Sequence, residues 1–268
     1  MKAITAIGIA VAFVSLFLAA ILEGTNPVTF LNIPALVLIA GGTTGATMAS
    51  TNFRSFMTAP KGAIMSFKGT SIDSAAAIGQ MVELSEKARR NGLLALEEDV
   101  ANIDDAYTRK GLQLVVDGTD SDLVHAILES EIDGLAGRHA VVAGLFTTAG
   151  GFAPTVGIIG TVMGLIHVLQ NLAAPAELGP AISGAFIATL YGVSSANLLL
   201  LPIGNKLKEM SATELNHRAM ILDAILSIQA GDNPRVLAEK LESFVAPADR
   251  GSQKAENASP SAELREAA

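Results

Sequence analysis

The sequence predicts an all-α integral membrane protein with four transmembrane helices and a helical cytoplasmic domain. Half of the 268 residues are hydrophobic and only 16% are charged, against about 25% charged in a soluble domain. Four stretches carry no Asp, Glu, Lys or Arg over the ~20 residues that cross a bilayer: Ala3–Leu22, Gly24–Asn52, Ala140–Ala176 and Leu178–Asn205. Between them, apolar residues recur at helical spacing, and no window shows sustained strand alternation.

The first stretch follows Lys2, as a signal peptide would. It is long for such a segment, and a second apolar run follows closely, so it reads as a retained helix over 1–22. A connector at 23–31 leads to a second span at 32–51, most apolar from Phe30 to Ala49. Residues 52–139 are polar enough for an aqueous domain. There, Ser71–Arg90 reads as an amphipathic helix, with Thr70 and Ser71 as candidate caps. Gly92 interrupts it, and Leu93–Val100 restarts the pattern. Ala106–Val116 reads as a helix stopped at Asp117-Gly118. Asp122–Arg138 reads as a helix able to continue into the third span.

The third and fourth spans, placed at 140–172 and 180–203, form a hairpin around a connector at 173–179. Residues 204–245 hold a helix at Lys206–Ala230 and a shorter one opened by Asn233-Pro234. The tail at 246–268 is too poor in apolar side chains to offset the cost of ordering, and disorder is expected.

The basic residues orient the chain. Of 18 Lys and Arg, one is Lys2, nine lie between Arg54 and Arg138, and eight between Lys206 and Arg265. The two short connectors have none. With four crossings all 18 fall on one side, which the positive-inside rule makes the cytoplasm, with both termini there. The connectors are then periplasmic and the chain sits in the plasma membrane.

Composition also excludes functions. The absence of Cys removes disulfides and thiolate chemistry. A net charge of −8 argues against a nucleic-acid partner. His125, His139, His167 and His217 have no metal-ligand spacing. No metal, cofactor or catalytic residue is expected, and the chain does not read as an enzyme.

Within the hairpin, Gly160 and Gly164 make one row of small residues, and Gly184, Ala188 and Gly192 another. Such rows let backbones approach closely. Thr155, Thr161, His167, Ser183, Thr189, Ser194, Ser195 and Asn197 supply the few polar groups. Pro154 and Pro202 each remove a backbone donor and loosen the helix locally. The spans hold no carboxylate, the usual ion carrier at membrane depth. If this protein moves ions, another chain must supply the carrying group.

Four segments carry a resemblance: NIPALVLIAGGT at 32–43, KARRNGLLALEE at 87–98, APTVGIIGTVMGL at 153–165 and ELGPAISGAFIATLYG at 177–192. In order and spacing, over about residues 1–245, the chain resembles the MotA/TolQ/ExbB family, and within it the stator subunits of bacterial flagellar motors. The resemblance implies a ring of these subunits, expected to be a pentamer, around two helices of a MotB-like single-span partner. That partner supplies the membrane Asp. The cytoplasmic domain is implied to push on the rotor protein FliG through Arg89 and Glu97, with adjacent Arg90 and Glu98 sharing the role. Pro154 and Pro202 match the family's two prolines, implied to let the hairpin shift when the partner's Asp changes charge. Thr161 and Thr189 match hydroxyls of sodium-driven relatives, and oxygen ligands suit a hard cation. Asn32 stands where sodium types often carry Asp, and Gly151 where many relatives are acidic. The proton, the commoner ion in the family, is expected, with sodium the alternative.

Two other functions compete. An ExbB/TolQ-like subunit energising an envelope system resembles only the hairpin and has three spans; two apolar runs before Asn52 argue against it. A self-contained transporter should show intramembrane charges or inverted repeats, and this sequence has neither.

Overall fold

The structure is a computed structural model and describes residues 4–69, 72–173 and 175–246. Among these residues every regular element is helical. The α-helices are α1 (Ile4–Leu22), α2 (Ile33–Ala49), α3 (Phe53–Phe56), α4 (Ala59–Lys68), α5 (Ser74–Asn91), α6 (Glu97–Ala101), α7 (Ala106–Val116), α8 (Ser121–Gln170), α9 (Pro175–Ser195), α10 (Leu201–Ala230) and α11 (Pro234–Glu242). Short 3-10 turns occupy Pro27–Phe30 and Leu93–Leu96, and a π-helical turn occupies Ala196–Leu200. The candidate caps Thr70 and Ser71, and the tail beyond Ala246, lie outside the described residues.

The chain divides into two compact units. One comprises Met1–Thr70 with Gly137–Ser211, and the other Ser71–Ala136 with Ala212–Ala268. The first unit is the apolar one. Three helical stretches are long and apolar enough to cross a membrane, at Ile4–Leu22, Ser121–Gln170 and Pro175–Ala230, while α2 is a shorter apolar helix of 17 residues. None of the residues of α1 is buried within the chain, which suits a helix apolar all round and facing lipid or a partner. Asn32 opens α2 by accepting a hydrogen bond from the Ala35 amide at 3.0 Å, with Pro34 in the first turn, where its missing N–H costs little.

The second unit packs α5, α7, α11 and the aqueous ends of α8 and α10 around one core. Met81, Leu96, Tyr107, Leu112, Leu128 and Ile225 are almost wholly buried, each contributing on the order of 1.5–3 kcal/mol. A Cβ at Gly111 would collide with Ile225 Cδ1 and come within 2.9 Å of Leu128 Cδ1, so α7 sits close against both helices. Asp105 caps α7, accepting from the Thr108 amide at 2.8 Å and its hydroxyl at 2.6 Å.

Several boundaries differ from the sequence reading. Helix α5 begins at Ser74, capped by Asp73, whose carboxylate accepts from Ala76 N at 3.0 Å. Leu93–Val100 is not one helix: a 3-10 turn at Leu93–Leu96 precedes α6. The aqueous helix and the third span are one helix of 50 residues, which runs through Asp133-Gly134 and Gly137 without a break. The connector placed at 173–179 is largely helical. Pro175 occupies the first position of α9, where no N–H is needed, and Pro180 lies inside the helix. The connector at 23–31 contains a helical turn at Pro27–Phe30, capped by Asn26. The π turn falls inside the fourth span, whose end and Lys206–Ala230 form one helix, α10.

Candidate functional site

The hairpin is built from small residues on facing helices. A Cβ at Gly157 would meet Thr189 Cα at 3.2 Å, and one at Gly192 would meet the Ala153 carbonyl oxygen at 2.5 Å. Gly164 faces Ala185, and Gly160 faces Ala188 and Leu38. The seam is therefore Ala153, Gly157, Gly160 and Gly164 against Ala185, Ala188 and Gly192. Gly184, placed in that row by spacing, turns instead toward the Asn32 amide.

Close approach brings the two sequence-predicted threonines together. Thr161 and Thr189, on opposite helices, hydrogen-bond through their hydroxyls. Thr161 Oγ1 also lies 3.2 Å from the carbonyl oxygens of Gly157 and Ala185, and Thr189 Oγ1 lies 3.3 Å from that of Gly157. Hydroxyl and carbonyl oxygens from both helices thus gather at one level of a seam that lacks charge. Thr155 instead bonds back to Phe152 O at 2.7 Å on an exposed face, the ordinary use of a helical Thr. His167 is exposed, with Asn171 Nδ2 bonded to its carbonyl at 2.9 Å.

Pro154 lies inside α8, seven residues before Thr161 on the same helix, and leaves the Gly150 carbonyl without its helical donor. Pro202 has a larger consequence. It follows the π turn at Ala196–Leu200, where the Leu201 amide reaches back to Ala196 O. One widened turn just before a proline is a mechanically soft point, and such turns are frequent at functional sites.

The second candidate site is the turn between α5 and α6. Gly92 stands at φ +85° and ends α5, its amide bonding to Ala88 O at 2.8 Å; a side chain there would cost about 1 kcal/mol or more. The turn leaves Arg89 and Arg90 exposed at the end of α5 and Glu97 and Glu98 exposed in the first turn of α6. Acids at a helix start and bases at a helix end both suit the helix dipole. Lys87 pairs with Asp99 at 2.6 Å and braces the two sides. Arg90 pairs with Glu86 at 2.7 Å. Among the described residues, no side chain pairs with those of Arg89, Glu97 or Glu98.

Sequence reasoning missed several contributors. Arg235, in the first turn of α11, lines one groove with Arg89, Arg90 and Glu86. Tyr191 donates its hydroxyl to Phe30 O and accepts from Asn32 N at 3.4 Å, tying α9 to the start of α2. Within the aqueous unit, Arg218 lies 4.9 Å from the Tyr107 ring centroid and 3.2 Å from Glu214. Neighbouring His217 buries an unpartnered Nδ1. Burial holds the His217 pKa below its ordinary value, with Arg218 adding to that effect and Asp105 and Glu214 opposing it. Burial works to raise the Asp105 carboxyl, but the Thr108 hydrogen bonds and the charges of Arg218 and His217 leave it below the usual range. Burial raises the Tyr107 phenol. Among the described residues no group of three His, Asp or Glu could hold a metal ion.

Comparison with known proteins places this architecture. The MotA/TolQ/ExbB proton channel family model matches residues 99–220. Motility protein A of Borreliella burgdorferi is 36% identical over 244 residues, covering 91% of this chain and 94% of that protein. The flagellar MotAB stator complex of Bacillus subtilis contains a chain with TM-score 0.86 and 35% identity, covering 91% of this chain and 96% of that one. The C. jejuni MotAB structure matches with TM-score 0.87 and 32% identity, covering 91% and 95%. An all-helical membrane chain with a small-residue hairpin and a charged turn, matched over nine-tenths of its length, belongs to the motility protein A group of the MotA/TolQ/ExbB proton channel family.

Proposed function

We propose that this chain is the larger stator subunit of a flagellar motor, converting ion flow into force on a rotor. The observation that carries the reading is the Thr161–Thr189 hydroxyl pair at a level of the hairpin with no carboxylate, the nearest acid on α9 being Glu177 in its first turn. Such a seam can line an ion path but cannot bind and release a cation by charge alone. A MotB-like single-span partner then supplies the Asp, and several copies of this chain, five by family resemblance, surround it. The chain crosses the plasma membrane four times, with α2 as the second crossing and both termini in the cytoplasm. The uneven placement of basic residues supports this topology.

In this mechanism, neutralising the partner's carboxylate changes the surroundings it prefers. That differential biases the hairpin between two arrangements. Pro154 and the π turn before Pro202 are the compliant points. The exposed turn carrying Arg89, Arg90, Glu97 and Glu98 moves with the hairpin and engages FliG. Exposed charges bind weakly but orient and steer contact, which suits an interaction that must release at each step. Arg235 extends the same cationic patch. The proton is the proposed ion; the hydroxyl pair favours sodium as the second reading.

The test is complementation. Expressed in a bacterium lacking its own copy, with the cognate single-span subunit, the chain restores swimming. Sodium-independent swimming supports the proton. Membrane-inserted protein in a complex with its partner, yet no rotation, would contradict the stator role.

A further inference from the structure

We propose that α3 and α4 form a binding surface for anionic phospholipid headgroups at the membrane surface. No Asp or Glu occurs from Gly24 to Ile72, although the whole chain carries a net charge of −8. Within that stretch lie Arg54, Lys61 and Lys68. Among the described residues none of the three has an ion-pair partner, and all three are exposed.

Helix α4 is divided lengthwise. Gly62 and Ser66 are buried, and a Cβ at Gly62 would stand 2.5 Å from Val142 Cγ1. Ala59, Ala63 and Phe67 pack against the core formed by Phe146 and Leu207. The opposite side presents Ile64 and Met65, which are 56% and 47% exposed, and just before α4 the chain exposes Phe53 and Met57 at 69% and 57%. Lys61 and Lys68, seven residues apart on α4, fall on this same side with Ile64 and Met65, and Arg54 is exposed on the adjoining α3. Isolated exposed apolar residues are ordinary. A cluster of them interleaved with unpaired cations over 53–68 is not, and it suits one environment. Apolar side chains sit at the acyl boundary while Arg and Lys extend to the phosphates. The position fits, because α3 begins four residues after the end of α2. Charge complementarity selects the occupant: a uniformly cationic face prefers an anionic lipid to a zwitterionic one.

The surface depends on α2 lying in the membrane and is independent of the ion and rotor roles. The chain has no Cys, so Met57→Cys gives a single attachment point for a fluorophore. The labelled full-length chain is reconstituted into vesicles containing equal fractions of brominated phosphatidylglycerol or brominated phosphatidylcholine. Brominated phosphatidylglycerol is expected to quench several-fold more strongly, and less so as salt rises. Neutralising Arg54, Lys61 and Lys68 to Gln should remove that preference. The Lys61→Arg/Lys68→Arg pair should keep it, with helicity unchanged in every variant. Equal quenching by both lipids would overturn the headgroup preference while leaving α2 in the membrane. No quenching by either lipid, as when a second copy covers the face, would overturn the proposal entirely.

Discussion

Arg89 is an exposed cation with no partner side chain, whereas Arg90 is held by Glu86. This difference ranks them. Arg89→Glu reverses a steering charge without touching the core, so torque on tethered cells should fall several-fold or vanish while membrane insertion persists. Arg90→Ala should cost less; normal rotation of both variants would remove the turn from the contact. The four turn residues were proposed from the family resemblance of the run at 87–98, and the structure exposes them on either side of Gly92. Arg235 was not legible, since only the packing of α11 beside α5 brings it to the same groove. His217 was equally hidden. Its folded pKa is lowered, chiefly by burial. Above the ordinary imidazole range both folded and unfolded forms are neutral and this group contributes nothing. As pH falls below about 6.5, the unfolded chain takes the proton more readily, and stability drops. His217→Gln should flatten thermal stability between about pH 7.5 and 5.5 relative to the parent. Parallel curves would contradict the assignment.

Helix pairing in the hairpin rests on the absence of side chains. Gly192→Ala places a methyl 2.5 Å from the Ala153 carbonyl oxygen, a backbone atom that cannot turn aside. Overpacking of this kind costs about 1–3 kcal/mol. Gly144 and Gly151 have open space at the same point, so Ala there should be tolerated. Yield and thermal stability of the purified complex distinguish the two groups, and equal behaviour would mean that the seam is mispaired. Thr161→Val keeps volume but removes the hydroxyl pair. Ion flux through the assembled complex should fall about fivefold, the equivalent of ~1 kcal/mol, with assembly intact. The small-residue spacing was visible in the chain, but its partners were only half so: Gly184 shares the period yet faces Asn32, because a row of glycines does not say which neighbour fills it. The π turn had no signature beyond Pro202, since a missing donor states that regular bonding stops and not how the backbone responds.

The molecule joins two compact units through helices that belong to both, and that continuity was the least legible feature. Composition alone separates lipid-facing from aqueous residues, and the bilayer leaves few ways to satisfy a backbone, so the helical class was readable. Where one helix passes from one solvent to the other, polarity changes and conformation does not, so a boundary drawn from polarity falls inside a helix. The account depends on a membrane body that lacks its own ion-binding acid. Its most direct test is cation flux into vesicles holding this chain alone, its single-span partner's complex, or that complex with the partner's membrane Asp changed to Asn. The account predicts flux from the intact complex and none above empty vesicles from the other two. Flux from this chain by itself would contradict it.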